Sequence, residues 1–300
     1  MTTFLLILGL KNQVKILNKE EEKKVQQVLV YTDFTNAGDM AVKHAVEVTK
    51  MFHGVLNILH VVDDNTLRLF KKQNAAERTA EILEEIRAQI EKEAHIVVRA
   101  RFEEGCTCTI LNSFAEEISA AIIITGIHSS EELQYLTPAS ALKIIRKSRI
   151  PYLIVKENSS VEHAYAKLVL PVNHMKESKE KISWAAYFGK LNKSVIHIFL
   201  PAKPDDLTKN NLLFARKFLK QFDVNFIEVN SGRSAMRLNR DAISYASGLE
   251  HKAMVVIMNT GTYGLLDHIF GPAEKKYIAN KYAVPVLSLN PRSDLYVPCV

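Results

Sequence analysis

Two apolar patterns alternate along the chain. Val28-Leu29-Val30-Tyr31-Thr32-Asp33 is a near-continuous apolar run ending on a carboxylate, the signature of a strand buried on both faces. Behind it, Met40, Ala41, Ala45, Val48 and Phe52 recur at helical spacing, and a second apolar strand spans Val55 to Val62. Lys167-Leu168-Val169-Leu170-Pro171-Val172-Asn173 has the same shape, 140 residues later. It too is followed by a helix, with Ile182, Ala185, Ala186 and Gly189 on one side, and by a strand from Ser194 to Leu200. A longer helix is predicted from Asn74 to His95, with Ala76, Ala80, Leu83, Ile86, Ile90 and Ala94 as its stripe.

The repetition continues to the end. Ala121 to Gly126 matches Met254 to Gly261, and Ile150-Pro151-Tyr152-Leu153-Ile154-Val155 matches Val284-Pro285-Val286-Leu287-Ser288-Leu289. The chain thus reads as two copies of one unit, residues 25–157 and 165–291. Between them lies a polar linker, Glu157 to His163, with residues 1–24 as an N-terminal extension and 292–300 as a tail. Strands alternating with amphipathic helices imply the α/β class. Each copy is expected to be a doubly wound, five-stranded parallel-sheet domain with flavodoxin-like layering.

Composition narrows the function classes. The net charge of +6 comes from 39 basic and 33 acidic residues scattered through the helices, without the basic stripe of a nucleic-acid binder. No apolar run is long enough for a membrane helix, and Phe4 to Leu10 lacks the flanks of a signal peptide. Cys106, Cys108 and Cys299 supply no disulfide framework, and the first two alternate as strand neighbours would. A reducing, cytoplasmic setting is the expectation.

In doubly wound sheets ligands bind beyond the carboxyl ends of the strands, where strand order reverses. Asp33 and Asn173 end the first strand of each copy. Gly126-Ile127-His128-Ser129 and Gly261-Thr262-Tyr263-Gly264 follow the fourth strands, and helix starts lie near Thr137-Pro138 and Gly271-Pro272. Glycines before a helix start let amides approach an anion; a tight turn or a proline-led helix start needs the same residues. Asp33 and Asn173 are equally suited to capping. His60, His128, His174 and His268 are spread over both copies without metal-ligand spacing, so no metal is expected.

The run Val28 to Thr35, the helix with Ala41 and Ala45, Leu59-His60-Val61-Val62-Asp63, Thr125-Gly126 and the closing Pro151 to Val155 resemble a universal stress protein domain. The second copy resembles the close of that domain through Gly261-x-x-Gly264, Phe270-Gly271-Pro272 and Pro285 to Ser288. The resemblance implies a tandem member with an adenine nucleotide alpha hydrolase-like fold. It also implies adenine-nucleotide contacts at Asp33 and Val62 and a Gly-x2-Gly-x9-Gly-Ser/Thr phosphate loop. Copy one departs at Ser129 and Thr137-Pro138, which points to loss of triphosphate binding; copy two keeps Gly261 and Gly264 but reaches Gly271 early and has Asn173 for the aspartate.

The leading expectation is a non-catalytic stress-response module. It would bind a small anionic ligand, with ATP, ADP or AMP as candidates, through Asp33, Val62, Gly126, Asn173, Gly261, Gly264 and Gly271, preferentially in copy two. The alternative is an architectural protein with vestigial sites, whose halves pair as an internal pseudo-dimer through their fifth strands, with a homodimer as a further assembly. An enzyme ranks last: no Walker loop or Gly-x-Gly-x-x-Gly is present, and weak ATP hydrolysis is the activity this class would show.

Overall fold

The structure is a computed structural model, and it describes residues 25–70, 74–128, 136–175, 178–259 and 273–291. The apolar runs become strands and the stripes between them become helices. The first half contains β1 (Gln27–Tyr31), α1 (Asn36–Phe52), β2 (Val55–Val62), α2 (Asp64–Leu69), α3 (Ala75–Ala94), β3 (Val97–Glu104), α4 (Thr107–Glu117), β4 (Ala120–Ile127), α5 (Pro138–Ile145) and β5 (Tyr152–Lys156). The second contains β6 (Lys167–Pro171), α6 (Ser178–Asn192), β7 (Val195–Leu200), α7 (Asp206–Gln221), β8 (Phe226–Asn230), α8 (Leu238–Gly248), β9 (Met254–Met258), α9 (Ala273–Ile278) and β10 (Val286–Leu289).

All these strands join one ten-stranded sheet in the order β3-β2-β1-β4-β5-β10-β9-β6-β7-β8. Pairing is parallel within each half and antiparallel only between β5 and β10, where Ile154 faces Val286 and Tyr152 faces Ser288. Each half is therefore a five-stranded doubly wound unit, and the two meet along their last strands. The duplication extends to individual backbone bonds. Thr32 N–Leu59 O recurs as Val172 N–Phe199 O, Val55 N–Gln26 O as Val195 N–Ala166 O, and Ile123 N–Pro151 O as Val255 N–Pro285 O.

One face of the sheet carries α1, α3, α6 and α7 over a core that runs through both halves. There Phe52 of α1 meets Tyr187 and Phe188 of α6 with ring centroids 5.1 and 5.6 Å apart. The other face has two cores, under α4 and α5 in the first half and under α8 in the second. The α3 stripe holds at Leu83, Ile86 and Ile90, which pack on the core, but its first turns differ: Ala75 and Thr79 are buried, whereas Ala76 is half-buried and Ala80 exposed. Alanine is tolerated on either side of a helix, so it marks the buried face poorly.

The segment after β5 is largely exposed at Glu157, Asn158, Glu162 and His163 and anchored at the buried Ser159. Ser159 donates to Ala283 O, and the buried Tyr165 hydroxyl lies 2.6 Å from His44 Nδ1 on α1. Burial drives the His44 pKa down to about 4. Lys181 of α6, set beside the apolar stripe, is buried as well, and desolvation brings its pKa down to about 7. No helix among the described residues is long and apolar enough to cross a membrane.

Candidate functional site

In the first half the strand order reverses at β1, whose neighbours β2 and β4 lead away in opposite directions. At the carboxyl ends of β1, β2 and β3 lies a cavity of about 1190 Å³ whose wall includes Asp33, Phe34, His60, Val62, Asp63 and Glu104.

Asp33 leaves β1 and immediately enters a closed network. Its carboxylate accepts from the Thr35 hydroxyl, from the Thr35 amide at 3.3 Å, and from His128 Nε2 at 3.3 Å. Thr35, not Asp33, caps α1 by accepting from Gly38 N. The same His128 Nε2 lies 3.0 Å from the Thr35 hydroxyl. A hydroxyl, an imidazole and a carboxylate thus meet, but both contacts fall on one ring nitrogen.

His60 is similarly committed. The Thr32 carbonyl, 2.8 Å from Nδ1, can only accept, so Nδ1 carries the proton and Nε2 accepts from the Thr66 hydroxyl at 2.9 Å. Burial lowers the His60 pKa, which keeps the ring neutral. Phe34, held at φ 59°, stacks on that ring at 4.1 Å. Together they make an apolar plate beside Asp33.

Val62 ends β2, and its carbonyl accepts from Gly105 N at 3.1 Å. Gly126 is set by packing: a Cβ there would come within 2.1 Å of Ala37 O. It lets α1 lie close against β4, and its environment is protein backbone. At the start of α5, Thr137 accepts from Ser140 N and Pro138 brings no N–H, so few amides are left for a phosphate. In the second half, Asn173 acts locally, accepting from Met175 N and the Ser178 hydroxyl ahead of α6. Gly261, Gly264, Gly271 and His268 lie outside the described residues. His174 is exposed, 4.0 Å from Asp205. Among the described residues no three metal-ligating side chains cluster.

One sequence reading is overturned here. Cys106 and Cys108 are not strand neighbours: Cys106 caps α4, Cys108 sits in its first turn, and their sulfurs are bonded as a disulfide. The strand ends earlier because Gly105 turns the chain at φ 136°. Both cysteines are exposed and line the cavity. The signal was available in Gly105, followed by Ile110, Leu111, Phe114, Ala115 and Ile118 at helical spacing.

Residues 24–156 match the Universal stress protein family. The first half is thus similar to a universal stress protein domain. A universal stress protein of Methanocaldococcus jannaschii is 23% identical over 166 residues, covering 52% of this chain and 98% of the relative. The fold of the whole chain is also matched. A solved universal stress protein of Archaeoglobus fulgidus superposes with a TM-score of 0.70 at 16% identity, covering 90% of this chain and 97% of its own. A functionally unknown protein of Pseudomonas aeruginosa PAO1 does so with a TM-score of 0.57 at 15% identity, covering 89% and 93%. In the first half, Asp33 and Val62 line one cavity, and Gly126 serves the helix packing behind it.

Proposed function

We propose that this chain is a non-catalytic binding module of the universal stress protein family whose first-half cavity takes the nucleoside end of an adenine nucleotide. The observation that carries this is the cavity of about 1190 Å³ at the strand ends, with Asp33, the Phe34–His60 plate and Val62 in one wall. A carboxylate suits ribose hydroxyls, and the plate suits a base. The wall also holds Asp63, Asp64 and Glu104 against Arg68. Like charges roughly 8 Å apart at an effective dielectric near 40 cost about 1 kcal/mol per pair. Several such pairs disfavour a triphosphate, in keeping with Pro138 and the engaged Ser140 amide.

Titration calorimetry with adenosine, AMP and ATP tests this. Adenosine and AMP are expected to bind roughly tenfold or more tighter than ATP, and Asp33→Ala, with its fold checked by circular dichroism, to lose roughly tenfold or more in affinity. Absence of binding at millimolar adenosine and AMP, or ATP binding tightest regardless of Asp33, would remove the reading.

The expected preference of the second half for anions remains part of the proposal. The bond Gly105 N–Val62 O has its counterpart in Ser231 N–Leu200 O, and the loop that follows carries Arg233 and Arg237, both contacting Asp241. A second reading, an architectural protein with vestigial sites and an internal pseudo-dimer, is favoured by one observation: Asp33 already accepts three bonds from its own chain. The antiparallel β5–β10 pairing supports the pseudo-dimer, and a cytoplasmic location and a homodimer stay within the same proposal.

A further inference from the structure

The cysteines of the cavity wall offer chemistry that ligand binding does not use. Their Cα atoms are 5.3 Å apart, within the range a disulfide requires, and a single residue separates them. That residue, Thr107, shares the cavity wall with both cysteines and with Tyr31 at the end of β1. Gly105 N–Val62 O fixes the segment from the other side. Both cysteines are exposed, so a small reagent can reach them. Cys106 is the cap residue of an eleven-residue helix and makes no side-chain cap bond. Its sulfur, as a thiolate, lies at the positive end of the helix dipole. Glu104 in the same wall works against that effect.

We propose that Cys106 and Cys108 form a reversible dithiol–disulfide couple that exchanges with low-molecular-weight disulfides at the mouth of the cavity, with Cys106 as the attacking thiol. The Cys106 thiol loses its proton to solvent and its thiolate attacks one sulfur of R–S–S–R. A Cys106–S–S–R bond forms, and one RS⁻ leaves and takes up a proton. The Cys108 thiolate, likewise deprotonated by solvent, then attacks the Cys106 sulfur, closes the Cys106–Cys108 bond and expels the second RS⁻. Two protein thiols are oxidised and one small disulfide is reduced to two thiols, so electrons and atoms balance without another reagent. The reverse sequence, driven by excess small thiol, reopens the pair.

The test uses the full chain carrying Cys299→Ser, so that only the two cavity thiols remain. Reduced protein is equilibrated with mixtures of reduced and oxidised glutathione, quenched with acid, alkylated and weighed by mass spectrometry, without any nucleotide, so the outcome is independent of the ligand reading. A direct passage from doubly alkylated chain to ring-closed, unalkylated chain as the mixture becomes oxidising is expected. Adding Cys108→Ser should trap one glutathione on Cys106, roughly tenfold faster than Cys106→Ser traps one on Cys108. Both positions are exposed, and circular dichroism verifies that the serine variants fold. A chain that stays doubly alkylated in every mixture, or that ends as a stable double glutathione adduct without ring closure, would overturn the couple. Equal trapping rates would overturn Cys106 as the attacking thiol.

Discussion

Replacing Gly126 with alanine separates a glycine needed for packing from one needed for a phosphate. The new Cβ would stand 2.1 Å from Ala37 O, 2.3 Å from Ala37 C and 3.0 Å from Ala37 Cβ. All three atoms belong to the first turn of α1, so no flexible side chain can swing aside. β4 is held by β1 on one side and β5 on the other and has little freedom to retreat. The N-terminus of α1 must therefore lift, which disturbs the Thr35 cap and the Asp33–Thr35–His128 cluster together. Overpacking a core costs about 1–3 kcal/mol, and a backbone clash this close belongs at or above the top of that range. At about 2–4 °C per kcal/mol for a domain of this size, the melting temperature should fall by roughly 6–12 °C. Gly248→Ala is the control, since nothing lies within 4 Å of its added Cβ; it should leave the melt unchanged or raise it slightly. Thermal melts in ligand-free buffer give the answer. Gly126→Ala melting within about 2 °C of wild type, while ligand affinity is lost, would refute the packing argument and restore the phosphate role.

Two buried ionisable groups give further tests. His44, brought down to about 4 from 6.5, is neutral in the folded chain, so the unfolded chain binds more protons between those values. Stability should be complete above pH 6.5 and fall by about 3 kcal/mol as pH drops to 4, and chemical denaturation of His44→Gln should lack that loss. A slope unchanged in the variant would contradict it. Lys181, brought down to about 7 from 10.5, makes wild-type stability rise from pH 7 towards 10.5. Lys181→Met should add about 2–4 kcal/mol at pH 7 and flatten that rise, whereas a destabilised variant would show that the lysine is held by favourable contacts.

Much of the architecture was legible because buried parallel strands leave a signature that no surface segment imitates. Val28 to Asp33 and Lys167 to Asn173 showed both the strands and the duplication; the strand-end rule led to Asp33 and the family resemblance to Val62, and the two line one cavity. What stayed hidden depends on contacts distant in sequence. Gly126 looks like a loop glycine until Ala37 is seen against it. Nothing local announces the burial of His44, over which Tyr165 folds back, or of Lys181 on α6. The strand spacing expected for the cysteines failed because one-residue spacing also fits a helix start, which Gly105 and the helical spacing from Ile110 to Ile118 mark. The Asp33–His128 contact bridges 95 positions and has no sequence pattern at all.

Hydrogen–deuterium exchange of the full chain, with and without saturating adenosine, tests the first-half cavity most directly. Slower exchange should concentrate in residues 31–35, 60–69 and 104–108, which line it, with the matching stretches of the second half unchanged. Protection confined to the second half, or none anywhere despite saturation, would contradict the account.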